Sequence, residues 1–174
     1  MRSLSEAGFC KLIWTPVRGR FFELRAGSEV LATLKWEKMV GSLATGKTAD
    51  GSWTLKRGGF LRPYVTVRVA EAEADLAVLR HGARGEGRLQ FSDGRGAFWR
   101  PTHQRRGEMA FADSSGTWLI CFRPISKLFK FEVDVEIAPT ALGLSELSLL
   151  ALVGFYRLAL QHDEDAAAAA AAAT

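Results

Sequence analysis

The side chains of this chain that could carry acid–base or metal chemistry are few and scattered. His81 and His103 have no Cys, His or carboxylate at metal-ligand spacing, and both are predicted to lie in loops. The run His162–Asp165 could hold a divalent cation weakly, but it is more typical of a solvated acidic helix end. The sequence therefore predicts no metal site and no cofactor.

The candidate nucleophiles are equally isolated. Cys10 and Cys121 lie far apart, and their spacing indicates neither a disulfide framework nor a zinc site, so a reduced cytoplasmic setting is expected. Cys121 falls inside a predicted strand, where an inert buried thiol is the usual case. The run Gly85-Glu86-Gly87 lacks the strand–loop–helix context of a phosphate-binding loop, and no Ser/His/Asp set can be nominated. We therefore predict a protein that is not an enzyme.

Basic residues are the remaining candidates for function. Of the 23 Lys and Arg residues, all but Arg157 lie before residue 132, whereas seven of the 19 acidic residues lie after residue 131. A basic body can attract phosphates of lipid or nucleic acid, although a solvated surface is the plainer interpretation. Nucleic acid ranks lower, because no recognition motif accompanies the charge. The residues that we predict to contact an anionic headgroup are Lys56, Arg57, Arg62, Arg105 and Arg106.

Two of these basic groups differ in how freely they can reach a ligand. Lys56 and Arg57 are neighbours on a predicted strand, so their side chains should face opposite sides of the sheet. Arg105 and Arg106 fall in a predicted loop and are freer to meet a headgroup, where each surface charge is worth about 1 kcal/mol.

Short strands joined by glycine turns make up the body that must position these residues. Pairs such as Asp93-Gly94 lie between alternating apolar runs and indicate hairpin turns. These turns require residues that tolerate positive φ. The pattern predicts about eleven strands, as in a sandwich or a barrel. They are Phe21–Arg25, Val30–Trp36, Leu43–Thr48, Ser52–Arg57, Tyr64–Ala70, Leu76–Leu79, Arg88–Ser92, Gly96–Arg100, Glu108–Ala112, Trp118–Phe122 and Phe131–Ile137.

A helix predicted over about residues 142–161 follows the strands. Ser145 is its predicted N-cap, and in that case residues 141–144 belong to the linker. Apolar residues point in nearly every direction around it, so it is enclosed either by protein or by lipid. Its least interrupted stretch, Leu147–Tyr156, is much shorter than the roughly 20 residues of a spanning helix, which favours a core helix. Residues 1–165 are predicted to form one domain. Residues 166–174 are a low-complexity alanine tail, either a helical extension or disordered.

This organisation resembles the tubby-like superfamily, which includes the tubby C-terminal domain, the LURP-one-related proteins and the phospholipid scramblases. The resemblance covers roughly Phe21 to Leu160 and is carried by the strand–turn–strand units, the turns Asp93-Gly94-Arg95 and Asp113–Gly116, and the helix Leu147–Leu160. It implies a mainly β fold: a closed antiparallel barrel of about twelve strands that encloses the hydrophobic C-terminal helix.

The leading hypothesis is a non-enzymatic binding domain that engages anionic phospholipid, a membrane surface or a protein partner through its basic surface. Its expected location is cytoplasmic and membrane-peripheral. The alternatives are a scramblase-like membrane protein with the C-terminal helix inserted in the bilayer, and a barrel that binds a small ligand at its mouth. The sequence does not constrain the oligomeric state.

Overall fold

A computed structural model describes residues 1–7, 10–82, 85–102, 107–127 and 130–173, except for the side chains of residues 126 and 127. Its twelve strands form one closed antiparallel barrel. The strands are β1 (Leu12–Arg18), β2 (Phe21–Ala26), β3 (Glu29–Trp36), β4 (Ala44–Thr48), β5 (Gly51–Gly58), β6 (Tyr64–Val69), β7 (Ala77–His81), β8 (Gly87–Phe91), β9 (Gly96–Pro101), β10 (Met109–Ala112), β11 (Trp118–Lys127) and β12 (Lys130–Ile137). A short helix α1 (Leu4–Ala7) precedes them, and a 3₁₀ turn (Pro139–Ala141) and helix α2 (Leu147–Ala172) follow.

The barrel closes by pairing its first strand with its last. In β1, Leu12 lies opposite Val135 of β12, and Trp14 lies opposite Val133. Every other pairing joins strands that are consecutive in the chain. Closure leaves neither β1 nor β12 as an open edge with unpaired backbone groups. The predicted fold class, a closed antiparallel barrel with a C-terminal helix, is confirmed.

Strand β1 is the element that the sequence pattern missed. Its alternation is interrupted by Pro16, which cannot donate a backbone hydrogen bond and therefore argues against a paired strand. The structure accommodates this proline at an irregularity, because the β1–β2 register shifts between Pro16 and Arg18. Leu12 and Trp14 nevertheless point inward and are fully buried.

Helix α2 fills the interior of the barrel, and it is buried on all sides rather than along one stripe. Its first ten residues are all buried, as an all-round apolar helix requires. Trp14 of β1 stacks on Phe155 with ring centroids 4.3 Å apart, and Trp36 of β3 stacks on Tyr156 at 5.5 Å. The buried residues of α2 are Leu147, Ser148, Leu149, Leu150, Ala151, Leu152, Val153, Gly154, Phe155, Tyr156, Ala159 and Leu160.

The predicted bounds of this helix, about residues 142–161, are wrong at both ends. The backbone N–H of Leu142 donates to Pro139 and that of Leu144 to Ala141, so these residues belong to tight turns and α2 begins at Leu147. At its other end α2 continues through the alanine run to Ala172. Alanine has the highest helix propensity, and nothing there interrupts the chain.

Ser145 is not the N-cap that the sequence predicts. The cap position is Glu146, which makes no side-chain capping bond. The Ser145 hydroxyl instead donates to the Glu146 carboxylate at 2.9 Å, and Arg95 donates to the same carboxylate at 2.6 Å. The beginning of α2 is thus fixed to the β8–β9 turn by an ion pair.

Close backbone approach between helix and wall depends on two glycines. A Cβ on Gly154 of α2 would lie 2.3 Å from the ring of Phe122, and a Cβ on Gly46 of β4 would lie 2.9 Å from Leu152. Phe122 is fully buried beside Trp99 and Phe111, so its ring has no free space to move into.

Replacing Gly154 by alanine should therefore destabilise the protein. We expect G154A to lower the free energy of unfolding by about 1–3 kcal/mol, because overpacking outweighs the gain in helix propensity. Urea denaturation would measure the change. The matched control is G143A, since Gly143 is exposed with nothing within 4 Å of its added Cβ, and its effect should stay within about 0.5 kcal/mol. A G154A protein as stable as wild type would contradict the described packing.

Removing α2 should unfold the barrel. A chain that ends at Thr140 loses all of the buried residues of α2, so we expect loss of the near-ultraviolet circular dichroism signal and of cooperative urea unfolding. A chain that ends at Asp165 is the control, because residues 166–173 are exposed and their removal should leave the transition unchanged. A folded protein ending at Thr140 would show that α2 is not the core.

Candidate functional site at the exit end of the barrel

The two ends of the barrel differ in chemistry. At one end α2 begins, and Ser148 there donates to the Asp50 carboxylate in the β4–β5 turn. At the other end, where the odd-numbered strands end, α2 leaves the barrel close to Arg20 and Arg57. We call this the exit end. It is marked by the stacking of His162 on Phe131, with ring centroids 4.3 Å apart.

Arginines on the barrel rim bind the emerging helix. Arg20, in the β1–β2 turn, pairs with Asp163 and donates to the Gly41 carbonyl at 2.9 Å, while its guanidinium lies over the Trp36 ring. Arg57, at the end of β5, pairs with Glu164. The acidic run after Gln161 thus offsets part of the positive charge of the rim.

Two neighbouring loops of the exit end expose large apolar side chains. In the β3–β4 loop, Met39 is 74% exposed and Val40 is 88% exposed. In the β5–β6 loop, Phe60 is 99% exposed and Leu61 is 89% exposed. The hairpin of β4 and β5 separates the two loops, so they stand about 10 Å apart along the rim on one side of α2. We call these four residues the apolar tips.

Exposed cations flank the apolar tips. Lys38 directly precedes Met39, and Arg62 directly follows Leu61. Lys35 is exposed near the end of β3, and Lys56 is exposed near the end of β5. Apolar side chains bordered by positive charge are the pattern of surfaces that meet an anionic lipid interface.

A cavity of about 200 Å³ lies between β5, β7 and α2 at the same end. Its lining includes Arg57, His81, Arg157, Gln161 and Glu164. Arg157 donates to the Gln161 side chain at 3.0 Å, and Gln161 donates in turn to Asp165 at 2.8 Å. We call this cavity the rim pocket.

Two buried nitrogens of the rim pocket lack hydrogen-bond partners among the described residues: Arg157 Nε and His81 Nδ1. Burial, followed by the positive charges of Arg157 and Arg57, lowers the pKa of His81 to about 4. Burial also lowers the pKa of Arg157, against the opposing charge of Glu164. The histidine is therefore neutral at pH 7 between two guanidinium groups.

The structure disperses the basic residues that the sequence groups together. Lys56 and Arg57 face opposite sides of the barrel wall, as expected: Lys56 is exposed outside, and Arg57 turns toward α2. Arg62 is exposed beside the apolar tips. Arg105 and Arg106 lie outside the described residues.

The expectation that His81 lies in a loop is wrong, since it is the last residue of β7. Ala77, Leu79 and His81 alternate along the strand, and this period of two was the signal in the sequence that it faces inward. His103, the other histidine assigned to a loop, lies outside the described residues. Sequence reasoning also missed the roles of Arg20 and Arg157, whose partners are distant in the chain.

The remaining candidate groups carry no site in the described part of the chain. Cys121 is buried. Burial, followed by the negative charge of Glu108, raises the pKa of its thiol to about 12. Within the described ranges, His, Cys, Asp and Glu side chains form no group of three or more that could hold a metal ion. Nor does any described helix combine the length and apolar character needed to cross a membrane.

Comparison with known proteins leaves the family unassigned. No family model matches the chain, and neither a curated protein nor a solved structure matches it. The barrel with its enclosed helix is therefore established from the structure itself, and membership of the tubby-like superfamily stays a prediction.

The half-buried, neutral His81 should make stability depend on pH. Unfolded, the imidazole binds a proton near pH 6.5, whereas the folded pKa is about 4, so between these values the unfolded state binds more protons. We expect Tm to fall as the pH drops from about 7 to 5, and the H81Q variant to lose part of this slope. Differential scanning calorimetry would measure both profiles, and parallel profiles would contradict the lowered pKa of His81.

Proposed function

We propose that this protein is a non-enzymatic domain that docks the exit end of its barrel on an anionic phospholipid surface. The observation that carries the proposal is the set of apolar tips, four side chains that are 74–99% exposed on two neighbouring loops. Transfer of an exposed apolar side chain of this size from water into a lipid interface is favourable. It stabilises the bound state by up to about 1.5–3 kcal/mol when the side chain is fully buried.

Charge supplies the preference for anionic lipid. Lys38 and Arg62 border the apolar tips, and Lys35 and Lys56 lie on the outer wall beside them. Each cation near an anionic membrane surface is worth about 1 kcal/mol, so four cations give weak, reversible and salt-sensitive binding. Anionic lipids are concentrated on the cytoplasmic leaflet, which agrees with the location expected from the cysteines.

Docking through loops also suits the position of α2. The apolar part of this helix lies within the barrel core, where it contacts the wall on every side. Releasing it to enter a bilayer would expose the apolar interior of the barrel. The loops, by contrast, can reach a membrane while the barrel stays closed, so we favour peripheral docking over insertion of α2.

Flotation with vesicles tests the proposal. We expect the protein to float with vesicles of phosphatidylcholine and phosphatidylserine, to bind pure phosphatidylcholine much less, and to dissociate as NaCl is raised. The double variant F60S/L61S should weaken binding by about tenfold or more, because it removes two of the apolar tips.

The control variant for flotation is V69S. Val69 is an exposed apolar residue at the opposite end of the barrel, and its replacement should leave binding unchanged. Equal binding by wild type and F60S/L61S would reject docking through the apolar tips. No flotation of wild type with either kind of vesicle would reject membrane docking and leave the basic surface to a protein partner. Equal binding to both kinds of vesicle would reject the role of the cations.

A further inference from the structure

The rim pocket holds more hydrogen-bond donors than the protein satisfies. Arg157 Nε is buried and has no partner among the described residues, although its Nη2 donates to Gln161 at 3.0 Å. An unsatisfied buried donor is costly, and charged donors are the costliest. A ligand with a hydrogen-bond acceptor beside Arg157 Nε would therefore supply a partner that the described residues do not provide.

Three separate elements direct polar groups to the pocket. Arg57 comes from β5, His81 from β7, and Arg157 from α2. His81 Nδ1 is the second buried nitrogen without a partner among the described residues, and as a neutral imidazole His81 can present one N–H as a donor. Donors that converge from three directions suit a small oxyanion with several acceptor oxygens.

Charge and size point to the same class of ligand. Arg57 and Arg157 outnumber the one carboxylate in the lining, that of Glu164, so the described lining has a net positive charge. A cavity of about 200 Å³ is smaller than the usual range for drug-sized ligands, which begins at about 300 Å³. A single oxyanion group is therefore a better fit than a large organic molecule.

Glu164 shows that the pocket already accepts an anion. Its carboxylate pairs with Arg57, and both side chains are partly exposed. Such an ion pair is weak, so an incoming anion can displace it without disturbing the barrel. Glu164 acts in this arrangement as a tethered competitor for the Arg57 guanidinium.

We infer that the rim pocket binds a phosphate-type oxyanion through Arg57, His81 and Arg157, in exchange for the carboxylate of Glu164. The oxyanion can belong to a free phosphate compound or to a lipid headgroup, which share this chemistry. The inference does not rest on membrane docking, because none of the apolar tips lines the rim pocket.

Titration of the whole protein with inorganic phosphate, at constant ionic strength and pH, tests the inference. The readouts are the NMR signals of Arg157 Nε–H, assigned with the variant R157K, and of the His81 ring. We expect saturable shifts of both signals. An anion beside His81 should also raise the pKa of its imidazole, because the negative charge favours the protonated form.

Matched variants distinguish binding in the rim pocket from nonspecific attraction of phosphate to positive charge. R57Q should weaken binding by about tenfold, whereas R80Q, with the same charge change on an exposed strand residue, should not. E164Q should tighten binding by about fivefold, because the competitor is gone. The control for E164Q is D163N, which removes the negative charge of the carboxylate paired with Arg20 and should leave phosphate binding unchanged.

Monomeric dihexanoyl phosphatidic acid distinguishes the two sources of the oxyanion. Shifts of Arg157 Nε–H with inorganic phosphate support a free ligand, and shifts with the short-chain lipid alone support a headgroup. No shift with either probe would overturn the inference, as would equal weakening by R57Q and R80Q. F60S/L61S should bind both probes like wild type, so failure of membrane docking and failure of this pocket can be told apart.

Discussion

The enclosure of α2 is the constraint on which the rest of the structure depends. A closed barrel of twelve strands has an interior too wide for its own side chains to fill, and the helix supplies the missing apolar volume. Contact is tight enough that Gly154 and Gly46 leave no room for a methyl group. The strands in turn shield apolar side chains that would otherwise meet water on every face of the helix.

Because the interior is filled with apolar groups, polar chemistry is confined to the ends and the outer wall. On the wall, Arg123 forms ion pairs with Glu108, Asp134 and Glu136. The exit end differs, since it combines apolar tips, exposed cations and a pocket with unsatisfied donors. We therefore expect the functional site at the exit end, where α2 leaves the barrel.

The sequence predicted the parts of the fold that depend on local patterns. Hairpins with glycine turns and a helix apolar all round are both encoded by neighbouring residues, and both were found. Strand β1 was missed because Pro16 hides its alternation, and its pairing with β12 joins residues more than a hundred positions apart. The predicted start of the helix was wrong because the turns after Pro139 depend on backbone bonding that composition does not specify. Its predicted end was too early because the alanine run was left open between helix and disorder.

The candidate site was less predictable because its contacts join residues that lie far apart in the chain. Arg57 and Arg62 could be selected from charge alone, but the partner of Arg57 is Glu164, 107 residues away. His81 was the recoverable residue, since its alternation with Leu79 places it on the inner face. No local signal identifies Arg157 as a donor in need of an acceptor, because that need arises only when β5, β7 and α2 meet.

The pairing of β1 with β12 has a consequence for how the chain reaches its native state. Neither strand can complete the barrel until the other has been synthesised, and α2, which fills the interior, is synthesised after all twelve strands. During synthesis the growing sheet has free edges and an uncovered apolar face, which are the features that promote aggregation. Contacts this distant in sequence also slow folding. The complete barrel with its filled interior can therefore form only after α2 has been synthesised, and until then the chain is prone to aggregation.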